Sequence, residues 1–320
     1  MSEQRIRIGI IGTGAIGGYY GMMLARSGHD VHFLLRSEYA PVLERGLRVN
    51  SAVHGVLQLD NVQAYRNAAE MPACDWLFVA AKSTNNEDLA PLIVEAAAPG
   101  AKVVLLQNGL AIEDGLRPLL PEGLHLLGGL CAIYAHRSAP GVVEHQALGH
   151  INLGYHSGPA TNDEARQAVL NEGVALLKEA GVNSVAMPSV EQARWMKLVW
   201  NVPFNGLSVL LNAGTEALLG DPDARELIRS IMDEVCAAAA ACGFALPAGL
   251  GDKLLEGTAQ LPDYLPSMYH DHAHQRPMEL AAIYAAPLAA AEQAGCRMPR
   301  TEALYRALRF IGARHATQSR

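Results

Sequence analysis

Short apolar, β-branched runs alternate with helix-like stretches through the first half of the chain, a pattern typical of a parallel sheet covered by helices. A helix over residues 15–27, with Gly28 as its stop, connects the first two strands. A small hairpin over residues 47–59 interrupts this plan, and Gly141 and Gly149 are expected to supply turns between later strands. The strands are predicted over residues 6–11, 31–35, 76–81, 102–106, 126–135, 142–145 and 151–155.

Beyond residue 188 the pattern changes to Ala- and Leu-rich stretches with helix-stop glycines and no convincing strand. We therefore predict two domains, an α/β domain over residues 1–188 and an all-helical domain over residues 189–320. Capping patterns mark the starts of several helices. These helices are opened by Thr161 with Glu164, by Ser189 with Gln192 (through about residue 211) and by Asp221 with Pro222, and a long helix over residues 267–295 follows.

The composition excludes several classes of protein. The chain has 320 residues, and its 25 Lys and Arg against 32 Asp and Glu make a broad nucleic-acid surface unexpected. The longest weakly polar stretch, residues 235–246, is too short to span a bilayer, and the N-terminus lacks the layout of a cleavable signal. Five scattered cysteines argue against a disulfide framework and a zinc site. We expect a globular, cytoplasmic protein without nucleic-acid or membrane partners.

A glycine-rich motif directly follows the first predicted strand and opens the first helix. Its first glycine permits a tight turn, its second lets a pyrophosphate approach the backbone, and its third allows close helix–strand packing. The helix N-terminus adds N–H groups and a partial positive charge. The motif predicts a Rossmann-type dinucleotide-binding domain, with a glycine turn that binds no ligand as the alternative. It consists of Gly12, Thr13, Gly14, Ala15, Ile16 and Gly17.

The residues that follow the next strands indicate which dinucleotide binds. The second strand ends in Arg36, whose guanidinium suits a 2′-phosphate, so NADP is favoured over NAD. Asp30 lies before that strand and Glu38 beyond it, so neither acid is placed to grip a ribose hydroxyl. Lys82 and Asn108 follow the third and fourth strands and are candidate cofactor contacts. The alternatives are a surface arginine, a solvated loop lysine and a turn asparagine.

Three polar residues recur every four positions on the helix that follows residue 188. Lys197, Asn201 and Asn205 form one stripe, and their neighbours are apolar on nearly every side. Burial would lower the pKa of Lys197 towards neutrality, which suits a general acid. Pro203 lies within the stripe, so we expect a bend there. A solvated helix face carrying one lysine and two asparagines is the alternative.

A second polar segment covers residues 266–279. Glu279 precedes an apolar stretch and is expected to point inwards from the start of a helix. His270, His272 and His274 alternate, and alternate residues share a face only on a strand. Because the surroundings indicate a helix or turn, a solvated segment is favoured over a metal site, and no metal is expected.

Together these residues resemble the ketopantoate reductase family over almost the whole chain. The most specific element is the KxxxNxxxN stripe, followed at a distance by Ser267-Met268 and by Glu279. The resemblance implies a Rossmann-type N-terminal domain that binds NADP and an all-α C-terminal domain that binds substrate and carries the catalytic residues. Asp271 also falls at a recurrent acidic position, with no settled role.

The resemblance also implies roles for the matching residues. Lys197 would be the general acid, and Asn201 would orient that lysine and the substrate. Asn205 would bind a substrate hydroxyl, Glu279 would hydrogen-bond that hydroxyl or Lys197, and Ser267 would contact the carboxylate. The cofactor contacts would be Asn108, beside the nicotinamide, together with Arg36 and Lys82 at the family's NADPH-binding positions.

The implied reaction is hydride transfer from NADPH to the C2 carbonyl of 2-dehydropantoate. It gives pantoate, a precursor of pantothenate and coenzyme A. The expected partner is a small 2-oxo acid, and the oligomer considered is a homodimer. Two alternatives stay open, namely a related NADPH-dependent reductase of another 2-oxo acid and a non-catalytic NADP-binding sensor. The histidine-rich tract over residues 269–275 departs from the family pattern and bears on the choice of substrate.

Overall fold

The structure, a computed structural model, describes residues 6–82 and 86–318. The chain forms two units, one comprising Met1–Gln107 with Ile112–Val190 and the other comprising Asn108–Ala111 with Glu191–Arg320. The first unit contains the sheet and the second is helical, which confirms the predicted fold class. The assignment of nucleotide binding to residues 1–188 and of substrate binding and catalysis to residues 189–320 stays a prediction. Among the helices described, none is both long enough and apolar enough to cross a membrane.

The sheet of the first unit is mixed rather than wholly parallel. Its strands run in the order β4-β3-β9-β8-β7-β6-β1-β2-β5, and β10 pairs with β9. Six neighbouring strands of this sheet are parallel, namely β5, β2, β1, β6, β7 and β8. They follow the 3-2-1-4-5-6 order of dinucleotide-binding sheets. The strands are β1 (Arg7–Ile11), β2 (Asp30–Leu34), β3 (Leu47–Ser51), β4 (Gly55–Leu59), β5 (Gln63–Tyr65), β6 (Cys74–Val79), β7 (Ala97–Leu105), β8 (His125–Ala139), β9 (Val142–Ser157) and β10 (Ala186–Met187).

Helices cover this sheet because its central strands are apolar on both faces. Trp76 and Phe78 of β6 are fully buried, and so are the residues between and after them, Leu77 and Val79. The first helix ends before Gly28, whose positive φ continues the chain out of the helix, as predicted. The helices are α1 (Ala15–Arg26), α2 (Tyr39–Arg45), α3 (Asn86–Ala96), α4 (Ile112–Leu116) and α5 (Asp163–Glu179), with 3₁₀ turns at Ala68–Glu70 and Arg117–Leu119.

The prediction of three separate strands after residue 125 was wrong. The structure has two long antiparallel strands, β8 and β9, joined by a turn at Gly141. Gly149 makes no turn and lies inside β9, where the register passes from Ala132–His150 to Ile133–Leu148 and leaves it unpaired. Its φ of 118° is accommodated by this bulge, so the polar break in the sequence marked an irregularity within one strand.

The predicted start of α5 was one residue too early. Asn162, not Thr161, is the N-cap, and its side chain accepts a hydrogen bond from the Ala165 N–H at 2.8 Å. Asparagine and threonine both cap helices, and the adjacent candidates could not be separated by spacing alone.

The helices of the second unit pack around one apolar core, to which α6 and α8 contribute most of the buried side chains. The predicted bounds of α6 and the Asp221 cap of α8 are confirmed, since the Asp221 carboxylate accepts from the Ala224 N–H at 2.8 Å. The helices are α6 (Val190–Leu211), α7 (Thr215–Gly220), α8 (Pro222–Ala241), α9 (Leu250–Ala259), α10 (Ser267–Ala273), α11 (Ala286–Gln293) and α12 (Pro299–Gln318), with a π-helical turn at Ala281–Ala285.

The single helix predicted over residues 267–295 was also wrong. The segment forms α10, an irregular stretch, the π-helical turn and α11. Gln275 has a φ of 53° and Pro277 follows it, and neither fits a continuous helix. The Arg276 side chain folds back to pair with Asp271 at 3.2 Å, and this contact closes the break.

Candidate functional site

The glycine turn between β1 and α1 has the geometry that its sequence predicts. Gly12 has a φ of 91°, and a Cβ there would stand 2.5 Å from the Ala81 nitrogen. A Cβ at Gly17 would stand 2.0 Å from the Gly12 oxygen, so only glycine lets the helix pack this close. At Gly14 nothing lies within 4 Å of a Cβ, which leaves its backbone open to approach.

The N-terminus of α1 fits a pyrophosphate. Gly14 is the N-cap and offers no side-chain cap, and the first turn contains no acidic residue. The first N–H groups of a helix have no partner within the helix, so they remain donors for an anion. The buried Thr13 Oγ1 also has no hydrogen-bond partner among the described residues. These features fit a dinucleotide bound at this turn.

The other predicted cofactor contacts lie at the carboxyl ends of neighbouring strands. Arg36 is exposed and follows Leu35, directly after β2. Lys82 is half-buried and follows β6, where the N–H groups of Ala80 and Ala81 both donate to the Ile11 oxygen. This part of the site therefore gathers at the ends of β1, β2 and β6, within the first unit.

The two acids near β2 are engaged elsewhere. Glu38 is 5 % exposed, pairs with Arg137 and accepts from the Gly141 N–H at 3.0 Å. Asp30 lies at the amino end of β2, where a hydrogen bond from Gln63 lowers the pKa of its carboxyl group. Neither carboxylate occupies the position at which NAD-specific proteins hold a ribose hydroxyl.

Helix α6 carries the polar stripe through a buried setting. Asn201 is 5 % exposed and Asn205 is 2 % exposed, whereas Lys197 is half-buried. Leu198 and Val199, which follow the lysine, are almost completely buried. Apolar neighbours thus surround the stripe, as predicted.

The two asparagine side chains have different partners. Asn205 Nδ2 donates to the backbone oxygen of Asn201 at 3.0 Å, and Asn205 Oδ1 accepts from the backbone N–H of Met268 at 3.3 Å. The second bond fixes the start of α10, where Ser267 lies. In contrast, Asn201 Nδ2 is buried and has no hydrogen-bond partner in the described part of the chain. A ligand with an acceptor oxygen would satisfy it.

The segment Asn108–Ala111 belongs to the second unit, although its sequence lies in the first half. Leu110 N–H donates to the Ala282 oxygen at 2.9 Å, and Arg194 Nη1 donates to the Gly109 oxygen at 3.3 Å. Gly109 has a φ of 116°, and a Cβ there would lie 2.4 Å from the Ala282 Cβ. The Asn108 Oδ1 held by this turn is buried without a hydrogen-bond partner among residues 6–82 and 86–318.

Glu279 is 7 % exposed and precedes the π-helical turn. In that turn the Tyr284 hydroxyl donates to the Val202 oxygen of α6 at 2.8 Å, and burial raises the pKa of Tyr284. A phenol that stays protonated keeps this donor at every working pH. Arg194 and Tyr284 were not predicted as site residues, and the one signal for Arg194 was its place amid apolar residues of α6.

The histidine-rich segment is helical, as its surroundings indicated. His270 and His272 lie on α10, and His274 Nδ1 is 2.7 Å from the His270 oxygen. Asp271 is buried and accepts from Arg276, whose own pKa is lowered by burial. Within the described ranges no group of three or more His, Cys, Asp and Glu side chains is spaced to hold a metal ion.

The structure thus assembles the predicted residues in two sets. The set in the second unit lies on α6 or on elements that bond to it, and the set in the first unit lies at the glycine turn and the strand ends. The individual roles stay predictions. The set in the second unit is Lys197, Asn201, Asn205, Ser267, Glu279 and Asn108. The set in the first unit is Gly12, Thr13, Gly14, Ala15, Ile16, Gly17, Arg36 and Lys82.

Comparison with known proteins identifies the family. The model for ketopantoate reductase PanE/ApbA matches residues 8–158, and the model for its C-terminal part matches residues 189–312. This chain belongs to the ketopantoate reductase family. The predicted family and the predicted oxidoreductase class are confirmed.

Individual relatives agree with this membership. A 2-dehydropantoate 2-reductase of Nostoc sp. is 37 % identical, over 99 % of this chain and 98 % of its own length. The crystal structure of a 2-dehydropantoate 2-reductase from Geobacter metallireducens is 37 % identical, with a TM-score of 0.86 over 97 % of this chain and 99 % of that one. D-mandelate dehydrogenase, solved with NADH and anilino(oxo)acetate, shares the fold with a TM-score of 0.85 at 21 % identity, over 97 % and 99 % of the two chains.

Proposed function

We propose that this protein reduces 2-dehydropantoate to pantoate and uses NADPH as the reductant. The main support is the assembly around α6, where a half-buried lysine lies one turn before a buried amide that has no hydrogen-bond partner among the described residues. Asn108, Ser267 and Glu279 lie on elements joined to that helix or to one another. The similarity to named 2-dehydropantoate 2-reductases over nearly the whole chain gives the substrate.

The first unit binds the cofactor in this proposal. The open backbone at Gly14 and the first-turn N–H groups of α1 hold the pyrophosphate, and Thr13 Oγ1 offers a further hydrogen bond. Arg36 and Lys82 supply positive charge for the 2′-phosphate. When bound, NADPH supplies the hydride that reduces the C2 carbonyl.

The second unit supplies the proton and orients the acid. The Lys197 ammonium donates a proton to the C2 oxygen while its charge stabilises the alkoxide that forms there. Asn201 Nδ2 donates to an oxygen of the substrate and holds it against the lysine. Ser267 binds the carboxylate, and Glu279 binds the substrate hydroxyl. Afterwards the neutral amine regains a proton from water, so the reaction consumes one hydride and one proton for each alcohol formed.

The alternatives differ in substrate or in turnover, and one experiment separates them. Purified protein is mixed with NADPH or NADH and with a panel of 2-oxo acids, and the loss of nicotinamide absorbance is followed. We expect kcat/KM for 2-dehydropantoate with NADPH to exceed every other combination by at least roughly tenfold. A larger value for another 2-oxo acid would replace the substrate. Cofactor binding without turnover on any acid would favour the sensor.

The homodimer and the cytoplasmic location remain part of the proposal. Light scattering on the purified chain measures the first, because a dimer has twice the monomer mass of 34.2 kDa.

A further inference from the structure

A second arginine lies beside Arg36 at the carboxyl edge of the sheet, and no sequence motif accounts for it. Arg66 directly follows β5, the parallel neighbour of β2. Leu34 is paired with Tyr65, and the Leu35 N–H donates to the Tyr65 oxygen at 2.8 Å. Adjacent strands are about 4.8 Å apart, so Arg66 and Arg36 leave the sheet side by side.

Tyr39 connects the two arginines. The Arg66 guanidinium carbon lies 4.6 Å from the centre of the Tyr39 ring, within the range of a cation–π contact. The Tyr39 N–H in turn bonds the Arg36 oxygen at 3.4 Å. Through Tyr39 the Arg66 guanidinium is therefore held near the backbone of Arg36.

The acid that lies next to these residues in the sequence, Glu38, is already paired. Glu38 stands between Arg36 and Tyr39 in the sequence, but its buried carboxylate is bound to Arg137 and to the Gly141 N–H. Arg36 and Arg66 are both exposed. Two exposed guanidinium groups without a competing carboxylate from Glu38 suit a doubly charged phosphate.

We propose that Arg66 binds the 2′-phosphate of NADPH together with Arg36, and that Tyr39 positions its guanidinium. This inference rests on the proposed use of NADPH. Since NADH lacks the phosphate, the arginine pair strengthens the binding of NADPH and leaves the binding of NADH unchanged. Arg66 thereby sets the preference between the two cofactors, while the glycine turn binds the part that they share.

The test measures the dissociation constants of NADPH and NADH by fluorescence titration of the intact protein. We expect Arg66→Ala to weaken NADPH binding about tenfold or more, as the loss of a charge-assisted hydrogen bond does, and to change NADH binding less than about twofold. Arg66→Gln, which keeps donors without the charge, should also weaken NADPH. Arg45→Ala is the matched control, because Arg45 is an exposed arginine at the far end of α2.

The positioning role of Tyr39 has its own pair of variants. Tyr39→Phe keeps a ring under the guanidinium and should retain the affinity for NADPH, whereas Tyr39→Leu removes the ring and should weaken NADPH selectively. Thermal unfolding of each variant confirms that it is folded.

The outcomes separate this inference from the proposed function. If Arg66→Ala weakens NADPH no more than Arg45→Ala does, or weakens NADH equally, then Arg66 does not contact the phosphate. The proposed function survives that result as long as Arg36→Ala still lowers the NADPH affinity selectively. If the unaltered protein binds neither nucleotide, the proposed function itself is wrong.

Discussion

Asn201 and Asn205 lie one turn apart on α6, yet their amides are used differently. Asn205 bonds the Asn201 oxygen and the Met268 N–H, while Asn201 Nδ2 is buried without a described partner. A buried polar group left unsatisfied costs about 1–3 kcal/mol, and a ligand that accepts its hydrogen bond recovers part of that free energy. Asn205 therefore stabilises the fold, and Asn201 is the amide that we expect to bind a ligand.

Alanine substitutions at these two positions should separate stability from binding. Asn205→Ala should lower the free energy of unfolding by about 1–3 kcal/mol more than Asn201→Ala, since only Asn205 loses bonds within the fold. Asn201→Ala should raise KM for the 2-oxo acid or lower kcat with little change in stability. Urea unfolding and steady-state kinetics measure the two effects, and both variants remove the same side-chain atoms. Equal losses of stability would contradict this division.

Lys197→Ala should lower kcat roughly a hundred- to ten-thousandfold, because a positioned proton donor contributes about that much. The affinity for NADPH should remain within about twofold, since the proposed phosphate contacts lie at the glycine turn and the strand ends. Lys253→Ala is the control, as Lys253 is exposed on α9. Full activity of Lys197→Ala would show that another group donates the proton.

At the scale of single residues, the sequence predicted the helix face on which residues lie but not their distant partners. The four-residue spacing of Lys197, Asn201 and Asn205 was enough to place them on one face of a buried helix. Spacing says nothing about partners distant in the chain, so the bond from Asn205 to Met268 was not foreseeable. The pairing of Glu38 with Arg137 likewise joins residues about one hundred positions apart.

At the scale of elements, the turn at Gly109 is held tightly against the π-helical turn. Gly109→Ala should lower the free energy of unfolding by about 2–5 kcal/mol, because a Cβ would meet Ala282 in addition to the strain of a positive φ. Gly243→Ala is the matched control in the same unit, since Gly243 has a φ of 88° and nothing within 4 Å of a Cβ. The control should lose only about 1–2 kcal/mol.

Urea unfolding compares these two glycine variants. If both lose the same free energy, then the contact with Ala282 adds nothing to the backbone strain.

Local signals predicted elements well where they acted alone. The Asp221 cap with Pro222 and the full length of α6 were confirmed. Errors arose where tertiary contacts override local preference, as in β9, where pairing with β8 carries one strand through the bulge at Gly149. The break after α10 coincides with the positive φ of Gln275 and with Pro277, and the prediction of one long helix overlooked that proline.

At the scale of the whole molecule, stability should depend on pH through a buried histidine that joins α1 to two hairpins. His145 Nδ1 accepts from the Ser51 hydroxyl at 2.7 Å, and its Nε2 faces the oxygens of Ala147 and Leu148. Its ring centre lies 4.4 Å from that of Tyr19 on α1. Burial lowers the pKa of His145 below the usual 6.5. The unfolded chain therefore binds a proton that the folded chain refuses, so stability falls as the pH drops below about 6.5.

The variant His145→Gln should reduce the difference in unfolding free energy between about pH 7.5 and about pH 5.5. One proton corresponds to at most about 1.4 kcal/mol per pH unit. His125, whose pKa burial also lowers, should keep part of the dependence. The control is His274→Gln, because His274 is exposed. An unchanged difference in His145→Gln would assign the acid sensitivity to other groups.

The sequence predicted an α/β domain followed by a helical domain, but it did not predict that the Asn108–Ala111 loop belongs to the helical unit. Alternating strands and helices followed by helices alone predicted the class of fold, because the two patterns bury their apolar faces in different arrangements of layers. Asn108 was expected to follow a strand at the sheet edge, and it does. Its membership of the helical unit depends on Ala282 and Arg194, which lie far along the chain.

The Asn108–Ala111 loop lies in the first half of the sequence but belongs to the helical unit, and this restricts how the gene can recombine. A crossover near codon 188 would join the Asn108–Ala111 loop of one parent to the Arg194 and Ala282 of another. Hybrids should be viable when the parents match at these positions and should misfold when either carries a bulkier group in place of Gly109 or Ala282. The residues of the Asn108–Ala111 loop should therefore vary across relatives together with the residues that they contact in the C-terminal half.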